Sequence, residues 1–282
     1  MIIRMTKKSS FSICHFVSII LVATWLIGSS AFGAEVLSFQ GTTKLPRGDL
    51  VRLTGKLTKP QGDGPFPAIV LSHGCTGIIK SNDDWAERFA KWGYVALQID
   101  HFGPRGYTET CGKAFAVPPT ARTQDAYDAK AYLGGLPFVD RNRIAVMGWS
   151  QGGITILSAV SKTNYVYWTQ ISNPPWKEED SFRAAIAFYP PCDGGKLEDT
   201  NAPLLILIGE LDTWTPASFC EDKMPKGKTP NEFTLKIYPN VHHGFDIEGR
   251  DGVNLGHRVL FNPEALADSI VQVREFLAKH FK

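Results

Sequence analysis

A serine lies between two glycines in residues 148–152, which read Gly-Trp-Ser-Gln-Gly. The apolar residues 144–147 precede this G-x-S-x-G motif, and residues 153–160 have the composition of a helix. A sharp turn from a strand into a helix needs small flanking residues, and it holds a side chain at a helix N-terminus, whose dipole favours developing negative charge. The motif predicts that Ser150 is a nucleophile; the alternative is a tight turn with an idle serine.

A serine hydroxyl needs a general base, and the candidates are two adjacent histidines near the end of the chain. His242 and His243 follow residues 233–238, which have the pattern of a strand, and His243 precedes Gly-Phe. We favour His243 as the base, which leaves His242 as a neighbouring or surface residue.

An acid that orients the base is expected on the loop after another strand. Residues 204–208 are apolar and are followed by Gly-Glu-Leu-Asp, which places Asp212 on that loop. Glu210 and Asp193 are lesser candidates, the latter because it follows the preceding strand. With Asp212, the chain order is serine, acid, histidine, and the carboxylate is expected to fix the tautomer of the histidine and to stabilise its imidazolium.

The oxyanion that forms during acyl transfer needs fixed hydrogen-bond donors. One expected donor is the backbone N–H of Gln151, the residue after the nucleophile. The other is expected from residues 72–77, which follow the apolar run 68–71. Within that loop we favour the N–H of Cys75, with Gly74 as the next choice.

A framework of strands and helices must position these residues. The strand-like runs are 51–58, 68–71, 94–99, 144–147, 184–188, 204–208 and 233–238, and the helical runs are 83–92, 122–133, 153–160 and 263–281. Apolar strands separated by helices form a parallel sheet covered on both faces, whose reactive groups lie at the carboxyl ends of the strands. The fold class is therefore expected to be α/β.

The N-terminus has the layout of a secretory signal peptide. Basic residues begin it, residues 11–28 are mostly apolar, and small residues follow up to Gly33. We expect residues 1–33 to be the leader and residues 34–282 a single mature domain; the alternative is an uncleaved membrane anchor. The leader holds three of the 30 basic residues and no acidic one. The mature chain would therefore have 27 basic and 28 acidic residues. This balance gives no support to nucleic-acid or anionic-membrane binding.

Four cysteines remain once Cys14 leaves with the leader. An even number of cysteines in an exported protein favours disulfides, and four cysteines allow three pairings. The alternative is a set of buried free thiols.

With these residues in place, the chain resembles the dienelactone hydrolase family of the α/β-hydrolase superfamily. The resemblance runs from about residue 65 to the C-terminus and is carried by residues 73–77, 100–106, 148–153, 209–212 and 243–245. It implies an α/β-hydrolase fold with a mostly parallel eight-stranded sheet flanked by helices and without a large cap. Dienelactone hydrolases proper use a cysteine nucleophile where this chain has Ser150, and the serine points towards general ester hydrolysis.

The resemblance also implies further roles. Neighbouring strand ends in this fold would bring Cys192 to Cys220 and Cys75 to Cys111, which predicts two disulfides. Arg105 is a candidate to hold a substrate carboxylate, although such an arginine more often ties down its own loop. The aromatic residues Trp149 and Trp168 are candidates for substrate contact. For residues 165–176, which include Trp168, a packed surface loop is an equal alternative.

The sequence thus predicts an exported serine hydrolase that cleaves small-molecule carboxylic esters or lactones through an acyl-enzyme. It needs no cofactor or metal, and the sequence has no clustered ligand pattern such as H-E-x-x-H. No stable membrane association is expected after signal cleavage. One alternative is a small exported serine peptidase of the prolyl-oligopeptidase type, although such enzymes usually carry an extra domain. The other is a catalytically silent binding protein of the same fold.

Overall fold

The computed structural model describes residues 33–162, 181–194, 197, 200–227 and 229–282. Apart from Gly33, the predicted signal peptide lies outside the described residues, and so does Trp168. None of the helices in the described ranges is long and apolar enough to cross a membrane. All elements named below belong to one compact unit.

The described part of the chain forms ten strands, five α-helices and a short 3₁₀ helix at Gly103–Arg105. The strands are β1 (Glu35–Lys44), β2 (Leu50–Thr58), β3 (Phe66–Ser72), β4 (Val95–Asp100), β5 (Val139–Trp149), β6 (Ala185–Phe188), β7 (Leu204–Gly209), β8 (Phe233–Tyr238), β9 (Asp251–Asn254) and β10 (His257–Leu260). The helices are α1 (Lys80–Lys91), α2 (Pro119–Gly134), α3 (Gln151–Val160), α4 (Ala217–Asp222) and α5 (Pro263–His280).

Strands β1 to β8 form one sheet in the order β1-β2-β4-β3-β5-β6-β7-β8. The pairs β1–β2 and β2–β4 are antiparallel, and every other pair in the sheet is parallel. The predicted α/β class with a mostly parallel eight-stranded sheet is therefore confirmed. The six strands β3 to β8 all run in one direction, so their carboxyl ends meet at one edge of the sheet.

The middle of the sheet is buried because its strands are apolar on both faces. Ile69 of β3, Val146 of β5 and Ile206 of β7 are each 0% exposed. Helix α1 packs against β4, α2 against β1 and β5, α3 against β5 and β6, and α5 against β7. This burial fixes the ends of the strands, and with them the loops that follow.

Three features were not predicted from the sequence. They are strand β1, the short helix α4, and the hairpin of β9 and β10, which forms a separate two-stranded sheet. Helix α2 also begins earlier than expected, because Pro119 occupies its first turn. Proline suits that position, since the first backbone N–H groups of a helix lack an intrahelical acceptor.

Candidate active site

Ser150 lies on the turn between β5 and α3 in a backbone conformation that is rare for a residue with a side chain. Its φ is 52° and its ψ is −118°. The turn closes because Gly148 and Gly152 lack side chains: a Cβ on Gly148 would lie 2.6 Å from the carbonyl oxygen of Gly152. A Cβ on Gly152 would collide with the carbonyl oxygens of Ser72 and His73. The glycine spacing is thus needed for β5 and α3 to pack against the end of β3.

The three residues singled out for catalysis come together at the carboxyl edge of the sheet. The Oγ of Ser150 lies 3.1 Å from Nε2 of His243, and Nδ1 of His243 lies 2.7 Å from Oδ2 of Asp212. Asp212 and His243 are only 3% and 4% exposed. A serine hydroxyl, an imidazole and a carboxylate that are hydrogen-bonded in this order have the geometry for transfer of the serine proton to Nε2.

The carboxylate of Asp212 is fixed by its own loop. Its Oδ1 accepts backbone hydrogen bonds from Trp214 at 2.9 Å and from Thr215 at 2.8 Å. The hydroxyl of Thr215 donates to Oδ2 at 2.7 Å. The oxygen that faces His243 therefore has a defined direction, which is what an orienting acid requires.

The residues considered as alternatives to Asp212 and His243 lie elsewhere. Glu210 accepts a hydrogen bond from the backbone of Asn240 at an exposed position. Asp193 is exposed on a cavity wall. The Nδ1 of His242 lies 3.1 Å from the carbonyl oxygen of Leu211.

Aromatic rings and a strand hold His243 in place. The centroid of the imidazole lies 4.5 Å from the ring of Tyr189 and 5.1 Å from the ring of Trp214. Its backbone carbonyl accepts a hydrogen bond from Leu260 of β10. The hairpin of β9 and β10 therefore supports the loop that carries the histidine.

Beneath the histidine, three aromatic donors converge on the buried carboxylate of Asp246. Tyr189 donates its hydroxyl to Oδ1 at 2.6 Å, and the indole N–H groups of Trp149 and Trp85 donate to Oδ2 at 2.8 and 3.1 Å. Burial raises the pKa of Asp246, and burial together with this carboxylate raises the pKa of Tyr189. The cluster links the serine turn, the histidine support and helix α1.

The two predicted oxyanion donors lie beside Ser150. Gln151 is the first residue of α3, where a backbone N–H has no carbonyl partner within the helix. Cys75 follows β3 and lines the same space as Ser150. Gly74 is also near, since a Cβ built on it would lie 3.7 Å from Cβ of Ser150. Their role as oxyanion donors stays a prediction.

Two cavities meet at Ser150. The larger has a volume of about 290 Å³ and is lined by Trp149 and by Val259 of β10, among others. The smaller has a volume of about 200 Å³ and extends along Cys111. Ser150, Cys75 and Trp214 line both. The space beside Ser150 therefore extends into two cavities.

Arg105, the candidate for holding a substrate carboxylate, has its terminal guanidinium nitrogens hydrogen-bonded within the protein. The guanidinium forms two hydrogen bonds of 2.9 Å with the carboxylate of Asp125, one with the carbonyl of His101 and one with the hydroxyl of Thr43. These bonds tie the loop that carries Arg105 to α2 and to β1. Trp149, in contrast, does line the larger cavity.

A buried polar cluster lies behind the loop after β3. His101 contacts Ser72 through Nε2 at 3.0 Å and Asp125 through Nδ1 at 2.8 Å. Arg122 donates to the backbone carbonyl of His73 and, at 2.8 Å, to the side-chain oxygen of Gln151. Burial lowers the pKa of Arg122 to about 9.

Two disulfides are present, between Cys75 and Cys111 and between Cys192 and Cys220. These are the two pairings expected from the resemblance. In the described ranges, no three His, Cys, Asp or Glu side chains are grouped as metal ligands would be.

Several functional neighbours were missed by sequence reasoning. Tyr189 directly follows β6 and Thr215 lies three residues after Asp212, so inspection of every residue after a strand would have found both. Asp246 lies three residues after His243, but its partners Trp85 and Trp149 are distant in the chain. No local sequence pattern predicts a cluster of residues so far apart in the chain.

The chain is similar in sequence and in fold to several known proteins. A model of the dienelactone hydrolase family matches residues 53–281. A Yersinia pestis protein with the provisional name carboxymethylenebutenolidase is 23% identical over 261 residues, covering 85% of this chain and 88% of that protein. Esterase 2 of Thermogutta terrifontis, solved phosphorylated by paraoxon, has a TM-score of 0.60 at 21% identity, covering 88% of this chain and 94% of that one.

A dienelactone hydrolase-like promiscuous phosphotriesterase from metagenomic libraries has a TM-score of 0.66 at 17% identity, covering 89% of this chain and 100% of that one. At these identities the two structures show that the fold is shared. The family match runs from within β2 to the end of α5 and so includes every strand end that carries a site residue. This chain therefore belongs to the dienelactone hydrolase family.

Proposed function

We propose that this protein is a serine hydrolase that cleaves carboxylic esters or lactones through an acyl-enzyme. The observation that carries the proposal is the pair of contacts that joins the three side chains: 3.1 Å from Ser150 to His243 and 2.7 Å from His243 to Asp212. Family membership and the esterase among its structural neighbours support a hydrolase.

In the proposed mechanism, the Oγ of Ser150 attacks the carbonyl carbon while Nε2 of His243 accepts its proton. Asp212 keeps Nδ1 protonated and stabilises the imidazolium. The N–H groups of Gln151 and Cys75 receive the oxyanion. His243 then protonates the leaving alcohol, and the same base activates water to release the acid.

The contacts of Arg105 bear on the substrate. Its guanidinium is paired with Asp125, so it is not offered to a carboxylate in the cavities. The two cavities beside Ser150 suit an ester with a substituent on each side of the carbonyl. We therefore propose esters with a substituent on each side of the carbonyl as substrates and assign no carboxylate-binding role to Arg105.

A fluorophosphonate probe tests the nucleophile, since it bonds only to an activated serine. We expect one label per chain, located on Ser150 by peptide mapping. Ser150→Ala should remove the label and lower kcat for p-nitrophenyl esters by roughly 10⁴-fold or more, in the range found for other serine nucleophiles. Absence of labelling, or labelling that survives in Ser150→Ala, contradicts the proposal and favours a silent binding protein. Comparison of p-nitrophenyl esters with aminoacyl amides separates an esterase from a peptidase.

We further propose that residues 1–33 are a signal peptide and that residues 34–282 are the mature domain. Disulfides support this proposal because they persist in oxidising compartments. N-terminal sequencing of protein exported by a bacterial host should give a start near Ala34. Recovery of the full-length chain from the membrane fraction would instead indicate an anchor.

A further inference from the structure

We propose that residues 110–114, which we call the clamp segment, set the spacing of the two oxyanion donors, with Thr110 and Cys111 as positioning residues. The inference rests on the proposed function, because it concerns the donors Cys75 and Gln151. Neither positioning residue is given a contact with substrate atoms in this proposal. They act through bonds to the two donor residues: to the side chain and the backbone carbonyl of Cys75, and to the side chain of Gln151.

The clamp segment is bonded to Cys75 in two ways. Cys111 forms the disulfide with Cys75, which brings their Cα atoms to 4.7 Å. The adjacent N–H of Thr110 donates to the carbonyl oxygen of Cys75 at 2.8 Å. The disulfide restricts the position of the Cα of Cys75, and the hydrogen bond fixes the peptide group that follows it. The proposed donor N–H lies in the preceding peptide group, which shares that Cα.

The same segment is bonded to Gln151. The hydroxyl of Thr110 donates to the side-chain oxygen of Gln151 at 2.9 Å, and the side-chain nitrogen of Gln151 donates to the carbonyl of Ala114. Arg122 donates to the same oxygen of Gln151. Thr110 is 1% exposed, so water does not compete freely for these bonds.

Cys75 and Gln151 belong to different parts of the fold, since one follows β3 and the other begins α3. The clamp segment contacts both, and so it converts two separate loops into one rigid pair of donors. Such donors must be aimed at the place where the negative charge develops, and a displacement of about 1 Å typically costs about 10²-fold in rate. The Cys75–Cys111 disulfide is therefore expected to serve turnover, and the oxidising compartment would be needed to complete the site.

The second disulfide supplies a matched control within the chain. Cys192 and Cys220 are 1% and 0% exposed, and neither lines the cavities at Ser150. Cys75 is 9% exposed and Cys111 is half-buried on the wall of the smaller cavity. A dithiol reductant, which is oxidised to its disulfide as the protein gains two thiols, should therefore reach Cys75–Cys111 first.

The test compares the double variant Cys75→Ala/Cys111→Ala with Cys192→Ala/Cys220→Ala. Alanine keeps the backbone N–H at position 75. We expect kcat for a p-nitrophenyl ester to fall about 10- to 100-fold in the first variant, with KM changed less than about threefold. The inhibition constant of a trifluoromethyl ketone, which forms an oxyanion on serine, should rise in parallel with the loss of kcat/KM. The second variant should keep kcat while its melting temperature falls.

A third variant, Thr110→Val, removes the hydroxyl bond to Gln151 but keeps the disulfide and the backbone N–H. It should lower kcat about tenfold, the size expected when a donor is misaligned but present. If Cys75→Ala/Cys111→Ala does not fold, Thr110→Val tests the clamp proposal by itself. Mild reduction of the folded wild-type protein should lower kcat, and reoxidation should restore it.

The clamp proposal is overturned if kcat survives in Cys75→Ala/Cys111→Ala and Thr110→Val, or if it falls without weaker binding of the ketone. An equal loss of kcat in Cys192→Ala/Cys220→Ala would also overturn it. Fluorophosphonate labelling of Ser150 distinguishes these outcomes from failure of the proposed function. The label should remain stoichiometric, though slower, in every clamp variant, whereas a wild-type protein without label contradicts the function itself.

Discussion

Trp214 is one of three residues, with Ser150 and Cys75, that line both cavities at the candidate site. Its ring packs 5.1 Å from the ring of His243 and stacks 5.4 Å from the ring of His257. A flat ring held between two imidazoles has little freedom to move aside. At the scale of single residues, it is therefore the natural determinant of which groups fit on each side of the carbonyl.

Trp214→Ala should join the cavities of about 290 and 200 Å³ into one space. We expect kcat/KM for esters that are bulky on both sides to rise about tenfold relative to p-nitrophenyl acetate, a shift typical of a changed apolar pocket. The measurement is the ratio of the two kcat/KM values. Trp214→Phe keeps a ring in place and should stay near the wild-type ratio. Equal ratios in wild type and Trp214→Ala would show that the ring does not divide the site.

Single residues were predictable from the sequence when they follow a strand directly. Ser150, Asp212 and His243 could be chosen because position after an apolar run limits the candidates to a few. Arg105 shows the limit of this reasoning. Its partner Asp125 lies 20 residues away within α2, and the local sequence does not reveal whether a guanidinium faces a cavity or a buried carboxylate.

At the scale of elements, the approach of α3 to β3 determines how the serine turn is built. Gly152 in the first turn of α3 lies so close to the end of β3 that a Cβ would overlap the carbonyl oxygens of Ser72 and His73. Backbone atoms cannot swing aside as a flexible side chain can. The contact is therefore a fixed requirement of the turn.

Gly152→Ala should lower the free energy of unfolding by about 3 kcal/mol, the upper end of typical overpacking costs. Urea denaturation monitored by tryptophan fluorescence measures it. Gly252→Ala is the matched control, because a Cβ there meets nothing within 4 Å, and it should change stability by less than about 0.5 kcal/mol. If the two variants had the same midpoint and slope, the close approach of α3 to β3 would not be rigid.

Elements with a strong apolar pattern were predictable, and those without one were not. Strands β3 to β8 were all found; β3 to β7 have apolar runs that reflect burial, whereas β8 is half-buried. Strand β1 is an edge strand with mostly exposed or half-exposed residues, so its pattern is weak. In the hairpin, Leu255 and Gly256 at the turn both have positive φ, 48° and 85°. Leucine gives no sign of that conformation, which is why the turn and its two four-residue strands were missed.

At the scale of the whole molecule, the site is assembled from segments spread over most of the chain. Five segments meet only when the sheet is complete: the loop after β3, the clamp segment, the serine turn, the Asp212 loop and the histidine loop.

Two histidines in the polar cluster behind the site, His73 and His101, are 2% and 0% exposed. Burial first, and then the positive charge of Arg122, lowers the pKa of each of them well below its ordinary value.

Asp125 contacts His101, and a carboxylate alone would raise the histidine pKa. The same carboxylate is already paired with Arg105, so burial and the two arginines prevail. Both histidines are therefore expected to be neutral in the folded protein at neutral pH. His73 also accepts the backbone N–H of His101 at Nε2, a bond that requires an unprotonated nitrogen.

The lowered pKa values predict how stability depends on pH. Above about pH 6.5 both histidines are neutral in the folded and the unfolded chain, so they contribute no pH dependence. Below about pH 6.5 the unfolded chain binds protons that the folded protein excludes, and the free energy of unfolding falls as the pH falls. Two histidines give a slope of up to about 2.7 kcal/mol per pH unit, until the folded pKa values are reached. Urea denaturation from pH 7.5 to 5 measures this slope.

Carboxylates with lowered pKa values also make stability fall as the pH falls. The ring-proton resonances of the two histidines, followed by NMR, show whether the histidines are the source of the pH dependence. They should not shift between pH 7.5 and 5.5 in the folded protein, and a titration of either near pH 6.5 would show that the buried cluster admits a proton.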